Sequence, residues 1–135
     1  GLDDRSVVSG KMSVCRPIIP IKISNGLENI QYEALLDSGA DTSIFDAEIG
    51  EILGLDVRSG GAWKFGGVQK TGRQSIAYAH TVTIIVGGKS YPTRVCFSYD
   101  ISKSGYGILG QEGFFDLFSI KFDLTKEEVE IKEKI

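Results

Sequence analysis

Apolar residues recur at every second position through much of the chain, in short runs broken by glycine, and this pattern predicts strands and tight turns. The first clear run is Pro17-Ile18-Ile19-Pro20-Ile21-Lys22-Ile23. It is β-branched, and its prolines suit a strand start or an edge. Asn25-Gly26 is a hairpin signal before a second run, Ile30 to Leu36. Asp46 then caps a short helix with Ile49, Ile52 and Leu53 on one face, Gly50 weakening it and Gly54 stopping it. Residues 58–73 are rich in glycine, with Gly60-Gly61 and Gly66-Gly67 bracketing Ala62-Trp63-Lys64-Phe65, which predicts a projecting hairpin.

The strongest alternation follows. Ala77 to Val86 and Lys89 to Phe97 flank Gly87-Gly88, and Val82, Ile84 and Val86 alternate with Thr81, Thr83 and Ile85. A polar loop from Asp100 to Gly105 leads to a short strand, Tyr106 to Gly110. A small helix is expected next, with Phe114, Leu117 and Phe118 on one face, and then a closing hairpin of Ile120 to Phe122 with Val129 to Ile131. Eight or more short strands and two short helices make an all-β, barrel-like domain and exclude a βαβ sheet. Residues 1–16 lack this periodicity and are expected to be a flexible arm, leaving residues 17–135 as the folded domain.

Composition narrows the function. The 135 residues suffice for one domain, and 41% hydrophobic with 24% charged residues is ordinary for a globular protein. No apolar run approaches the roughly 20 residues of a membrane helix. A net charge of −3, with scattered Lys and Arg, gives no footprint for nucleic acid. Cys15 and Cys96 are far apart and His80 is the single histidine, so no metal centre is expected and the thiols are read as structural or incidental, with a disulfide as the alternative. The start at Gly1 fits a processed or trimmed piece, and the sparse cysteines with no leader suit the cytoplasm.

Two motifs fail on inspection. Gly67 to Gly72 has the glycine spacing of a phosphate loop but continues with Arg73-Gln74 where Lys and then Ser or Thr are needed. A serine triad would need His80, which falls within an alternating strand and is read as a hydrogen-bonded strand residue.

Asp37-Ser38-Gly39 directly follows the apolar run and puts a carboxylate where a buried strand breaks into a tight loop. Such a group must be hydrogen-bonded, paired or protonated. A structural turn residue is the plainest account. A wider constellation points further. Leu35-Leu36-Asp37-Ser38-Gly39-Ala40-Asp41-Thr42, the hairpin residues Phe65-Gly66-Gly67-Val68, and Ile108-Leu109-Gly110 resemble, in order and spacing, the retropepsin-like aspartic proteases. The likeness spans roughly Pro17 to Ile131.

That resemblance implies an acid-protease barrel of short antiparallel strands with a flap hairpin. It also implies an endopeptidase that needs no cofactor and holds water between two carboxylates sharing one proton. The chain has one such motif, so it supplies half of the pair, and a homodimer with Asp37 facing its mate is expected. By resemblance Asp37 is the catalytic acid and base, Ser38 locks the paired loops, and Gly39 lets the peptide backbone approach. Asp41 contacts the peptide backbone and braces the interface. Phe65, Gly66, Gly67 and Val68 form the flap tip, and Ala40, Val68 and Ile108 line side-chain pockets for an extended peptide. The chain departs from retroviral members at Gln111, where they carry an arginine paired with the acid matched by Asp41, and at Ser38 in place of threonine. The alternative function is a non-catalytic peptide-binding or dimerisation module of the same fold.

Overall fold

Ile19, Ile21 and Ile23 are buried while Pro20 and Lys22 are exposed, and this alternation sets the first barrel wall. The computed structural model describes residues 6–11, 17–68, 72, 74–101 and 105–134. In chain order the strands are β1 (Ser6–Lys11), β2 (Ile18–Asn25), β3 (Glu28–Leu36) and β4 (Ile44–Asp46), followed by helix α1 (Ala47–Ile52). After a 3-10 turn at Val57–Ser59 come β5 (Gly61–Val68), β6 (Gln74–Val86), β7 (Lys89–Ser98), β8 (Gly107–Leu109), β9 (Phe118–Asp123) and β10 (Glu128–Glu133).

Strands run in the order β2-β3-β8-β4-β7-β6, and β2 also pairs with β6 through Lys22–Ile85 to Ser24–Thr83, so six strands close into a barrel. β5 adds to the far half of β6 and projects as the expected hairpin. The barrel is not wholly antiparallel. β3 runs parallel to β8, and β4 parallel to β7, because β8 enters between β3 and β4.

Turn chemistry fixes the registers. In the β2–β3 hairpin the two loop residues are Gly26 and Leu27, with Asn25 already paired to Glu28. Gly26 has φ 63, the conformation a type II′ turn needs at its first central residue. Gly87 (φ 59) and Gly88 (φ 81) make the β6–β7 turn, with both central angles positive as in type I′. The Asp46 side chain caps α1 by accepting the Glu48 amide at 2.9 Å. Ile49 and Leu53 face the core, but Ile52 is half exposed, so the helix buries a narrower stripe than its sequence suggests.

The second expected helix does not form. Glu112 and Gly113 form isolated bridges to Thr42 and Gly110, and residues 114–117 make turns, with Phe115 and Asp116 amides bonding Gly110 and Gln111 carbonyls. Gly113 holds φ 97 and is clamped to β7 by the Thr93 hydroxyl at 2.8 Å, and these contacts break the helical path. Phe114 and Phe118 still reach the core, tilted against each other at 4.8 Å. Ser6–Lys11, inside the expected arm, is a strand paired with β10 in a second sheet of order β1-β10-β9. The rest of residues 1–16, Cys15 included, lies outside the described residues.

Among the described residues two apolar clusters result. The larger fills the barrel, joining Ile21, Ile23, Phe45, Ile84, Phe97 and Leu109 to Val129 and Ile131 of the small sheet. Full burial of each such side chain stabilises by about 1.5–3 kcal/mol. The smaller consists of Ile44, Ala77 and Cys96 with Phe65, Ala79 and Ile101 packed on it, on the side where β5 projects. Among the described residues no helix is long and apolar enough to cross a membrane.

Candidate active site

β3 ends at Leu36 and its parallel neighbour β8 ends at Leu109, and the Asp37 amide bonds the Leu109 carbonyl at 3.0 Å. Asp37 therefore starts a loop at the barrel rim with its backbone fixed. Its Oδ1 accepts the Gly39 amide at 3.0 Å, and the Ala40 amide closes the turn on the Asp37 carbonyl at 3.1 Å. The carboxylate is half-buried, more open than its position behind an apolar run suggests, and it is hydrogen-bonded as that position demands. A Cβ on Gly39 would sit 3.3 Å from Asp37 Oδ1, so glycine keeps the turn tight.

The segment after β8 laces this loop in place. Gln111 and Glu112 amides donate to the Ala40 and Asp41 carbonyls, each at 2.9 Å. The wholly buried Ser43 hydroxyl donates to the Glu112 carbonyl at 2.9 Å and accepts the Gly110 amide at 3.0 Å. Gly110 passes so close that a Cβ would lie 2.4 Å from the Thr42 carbonyl oxygen. The Gln111 side-chain amide donates to the Ser38 carbonyl at 2.8 Å instead of reaching Asp41. Gln111 thus stabilises the loop carrying Asp37 as a hydrogen-bond donor, without offsetting any charge.

The projecting hairpin stands over this rim. β5 is irregular between Phe65 and Val68, where Gly66 takes φ 69. Val68 pairs with Gln74, so Phe65 to Val68 stand in β5 as one arm of the hairpin. Of residues 69–73 only Gly72 is described, and the side-chain surroundings of Gly67 and Val68 also lie outside the described residues. At the hairpin root the Ser98 hydroxyl donates to the Ile76 carbonyl at 2.6 Å, while Asp100 accepts the Ile76 amide at 2.9 Å. These bonds bring Ile101 toward the rim.

An apolar cavity of about 240 Å³ results, walled by Ala40, Ile44, Phe65, Gly66, Ile101 and Ile108 together with Asp41, Thr42 and Trp63. Ala40, Asp41, Phe65, Gly66 and Ile108 of the expected site residues meet here. Asp37, Ser38 and Gly39 stand on the same loop but outside its wall. A polar cavity of about 460 Å³ adjoins it, with Asp41, Trp63, Arg94, Cys96 and Glu112 among its walls. Sequence reasoning left Ile44, Ile101, Arg94 and Glu112 out of the site. Trp63 is 39% exposed, and its ring stacks on that of Phe65 at 5.9 Å.

Burial pushes the Cys96 thiol up from its ordinary ionisation range, with the Thr42 hydroxyl opposing from 3.9 Å. His80 is a strand residue, as expected, with Nε2 donating to the Val57 carbonyl at 2.8 Å.

No family model matches the chain and no curated protein matches it. Solved structures do match in shape. A retropepsin-like aspartic protease from Rickettsia conorii superposes with TM-score 0.68 at 13% identity, over 93% of this chain and 89% of that one. The EIAV protease complexed with an inhibitor gives TM-score 0.49 at 26% identity, over 71% of this chain and 82% of that one. The chain has the retropepsin-like all-β fold.

Proposed function

We propose that the chain is an aspartic endopeptidase active as a homodimer, with residues 17–135 as the protease domain. The observation that carries this reading is Asp37 itself. It stands on a fixed rim loop with its carboxylate half open, next to an apolar cavity beneath a projecting hairpin. In the dimer each Asp37 faces its mate, and the two carboxyl groups share one proton because like charges in contact cannot both ionise. The ionised carboxylate takes a proton from a held water as its oxygen attacks the scissile carbonyl carbon, and the protonated partner donates to the carbonyl oxygen. Collapse of the resulting diol breaks the C–N bond, the proton passes to the leaving amine, and the carboxyl pair returns to its starting state.

Ser38 locks the paired loops across the two-fold axis, and Gly39 and Asp41 meet the peptide backbone. Phe65 to Val68 close over the peptide, and Ala40 and Ile108 receive a side chain. The test is cleavage of a peptide mixture between pH of about 3 and about 8, with Asp37→Asn as control. The expected result is cleavage by the unmodified chain and none by a folded, dimeric Asp37→Asn. Equal cleavage by that variant overturns the assignment.

Gln111 favours a second reading, a non-catalytic peptide-binding or dimerisation module. Its amide is engaged with Ser38, and Asp41 forms no ion pair among the described residues. A strict monomer in sedimentation at tens of micromolar, with no peptide cleaved, selects that reading.

A further inference from the structure

The apolar and polar cavities share Asp41, Thr42 and Trp63, so they are neighbours under β5. Alternate residues of a strand point the same way, and Trp63 and Phe65, stacked with planes 6° apart, both wall the apolar cavity while Lys64 walls neither. An extended peptide beneath them presents every second side chain on one side, about 6.7 Å apart, which suits two adjoining cavities.

The two cavities differ in chemistry. The polar one carries two carboxylates, Asp41 and Glu112, against one guanidinium, Arg94. Arg94 and Glu112 approach at 3.7 Å with side chains 63% and 56% exposed, a loose pair that holds either group weakly. The Asp41 carboxylate has no hydrogen-bond or ion-pair partner among the described residues. Trp63 adds an open aromatic face. Excess negative charge beside an indole suits a cation that keeps part of its hydration. An acidic side chain would meet two carboxylates, and an aliphatic one would strip water from three charged groups.

We infer that the polar cavity is a subsite for a lysine or arginine side chain, two residues from an aliphatic side chain seated in the apolar cavity. Trp63, Asp41 and Glu112 are its recognising groups. This inference rests on the peptide-binding part of the function proposed above and not on catalysis. It makes the preferred substrate a strand with an aliphatic-x-basic or basic-x-aliphatic pattern.

Trp63 is the chain's single tryptophan, so its emission reports occupancy of the wall it forms. The experiment titrates otherwise unmodified Asp37→Asn protein with peptides that carry an aliphatic residue and, two positions away, lysine, norleucine or glutamate, in both orders. Lysine peptides are expected to bind about five- to thirty-fold tighter than norleucine peptides, with glutamate weakest and the preference shrinking in salt. Glu112→Gln should reduce the lysine-to-norleucine ratio, and Arg94→Gln should raise it by freeing Glu112; a purely structural role moves neither ratio in that opposed fashion. Equal binding of lysine and norleucine peptides, a preference for glutamate, or no binding of any peptide overturns the subsite. Cleavage of the norleucine peptide by the unmodified chain is scored separately, so loss of the subsite and loss of the protease reading are distinguishable.

Discussion

Gly110→Ala tests whether the close crossing of two segments holds the Asp37 loop. The methyl group would lie 2.4 Å from the Thr42 carbonyl oxygen and 2.7 Å from that of Ala40. Both are backbone atoms, and the Ala40 carbonyl is itself held by the Gln111 amide at 2.9 Å, so no side chain can swing away to make room. The φ of Gly110 is not in the left-handed region, and the cost is contact alone. Overpacking of this kind costs about 1–3 kcal/mol, and weakening the neighbouring hydrogen bonds adds about 1 kcal/mol. At about 3–5 °C per kcal/mol for a chain of this size, Tm should fall by roughly 6–20 °C. Gly107→Ala is the control, since its methyl would strike the buried Phe45 ring at 2.3 Å, inside the barrel and away from the loop. Amide exchange separates them. In Gly110→Ala the Gln111 and Glu112 amides should exchange faster than the fall in global stability explains, whereas in Gly107→Ala they should follow global stability. An unchanged Tm with unchanged exchange at Gln111 would refute the argument.

Three further outcomes follow from ionisation. The Tyr91 hydroxyl donates to Glu133 at 2.5 Å, and burial, then the hydrogen bond and charge of Glu133, push its pKa well above the ordinary 10.0. Its stabilisation is therefore complete below 10.0 and lost as pH rises past that value, so Tyr91→Phe should flatten the alkaline limb of the denaturation midpoint against pH. Glu133 is held below its ordinary 4.5 by Tyr91 and then Lys89; its contribution is present above 4.5 and lost as pH falls, and the same variant should flatten the acid limb. Cys96, 4% exposed and with its thiol pushed up by burial, should resist iodoacetamide in a Cys15→Ala background until the chain unfolds; mass spectrometry showing reaction at a free thiol's rate would contradict this.

What the sequence revealed was local pattern. Gly26, Gly87 and the alternation from Val82 to Val86 encode turns and one face of a strand within a few residues, and each appears where expected. The failures lie where distant segments decide. Phe114, Leu117 and Phe118 have helical spacing, but Gly113 is clamped to Thr93 of β7, and that contact overrides spacing. Ser6–Lys11 has weak periodicity of its own and becomes a strand because β10 offers it an edge. At the site, Asp37, Ala40 and Ile108 stand in recognisable motifs. Arg94 and Glu112 stand in none, since their meeting depends on how the segment after β8 crosses β7. Ser43 was equally hidden, as a buried hydroxyl reads like any small strand residue until the Gly110 amide arrives beside it.

The proposed sharing of one proton between two Asp37 carboxylates can be measured by mixing. If each Asp37 needs its mate, the active unit is a dimer of two unmodified chains, and Asp37→Asn acts on its partner as well as itself. With subunits exchanging freely and equal amounts of the two chains, about one quarter of dimers carry both carboxylates, so activity per unmodified chain falls to about half. Independent catalytic chains would keep activity proportional to unmodified chain. Activity should accordingly follow the square of the unmodified fraction at fixed total concentration, and should fall per chain on dilution toward the dissociation constant. The Asn side chain preserves size and can still accept the Gly39 amide through its carbonyl oxygen, so the rim loop and the dimer survive the substitution. A linear dependence, measured where sedimentation shows the heterodimer formed, would mean that the carboxylate at position 37 does not work as one of a pair.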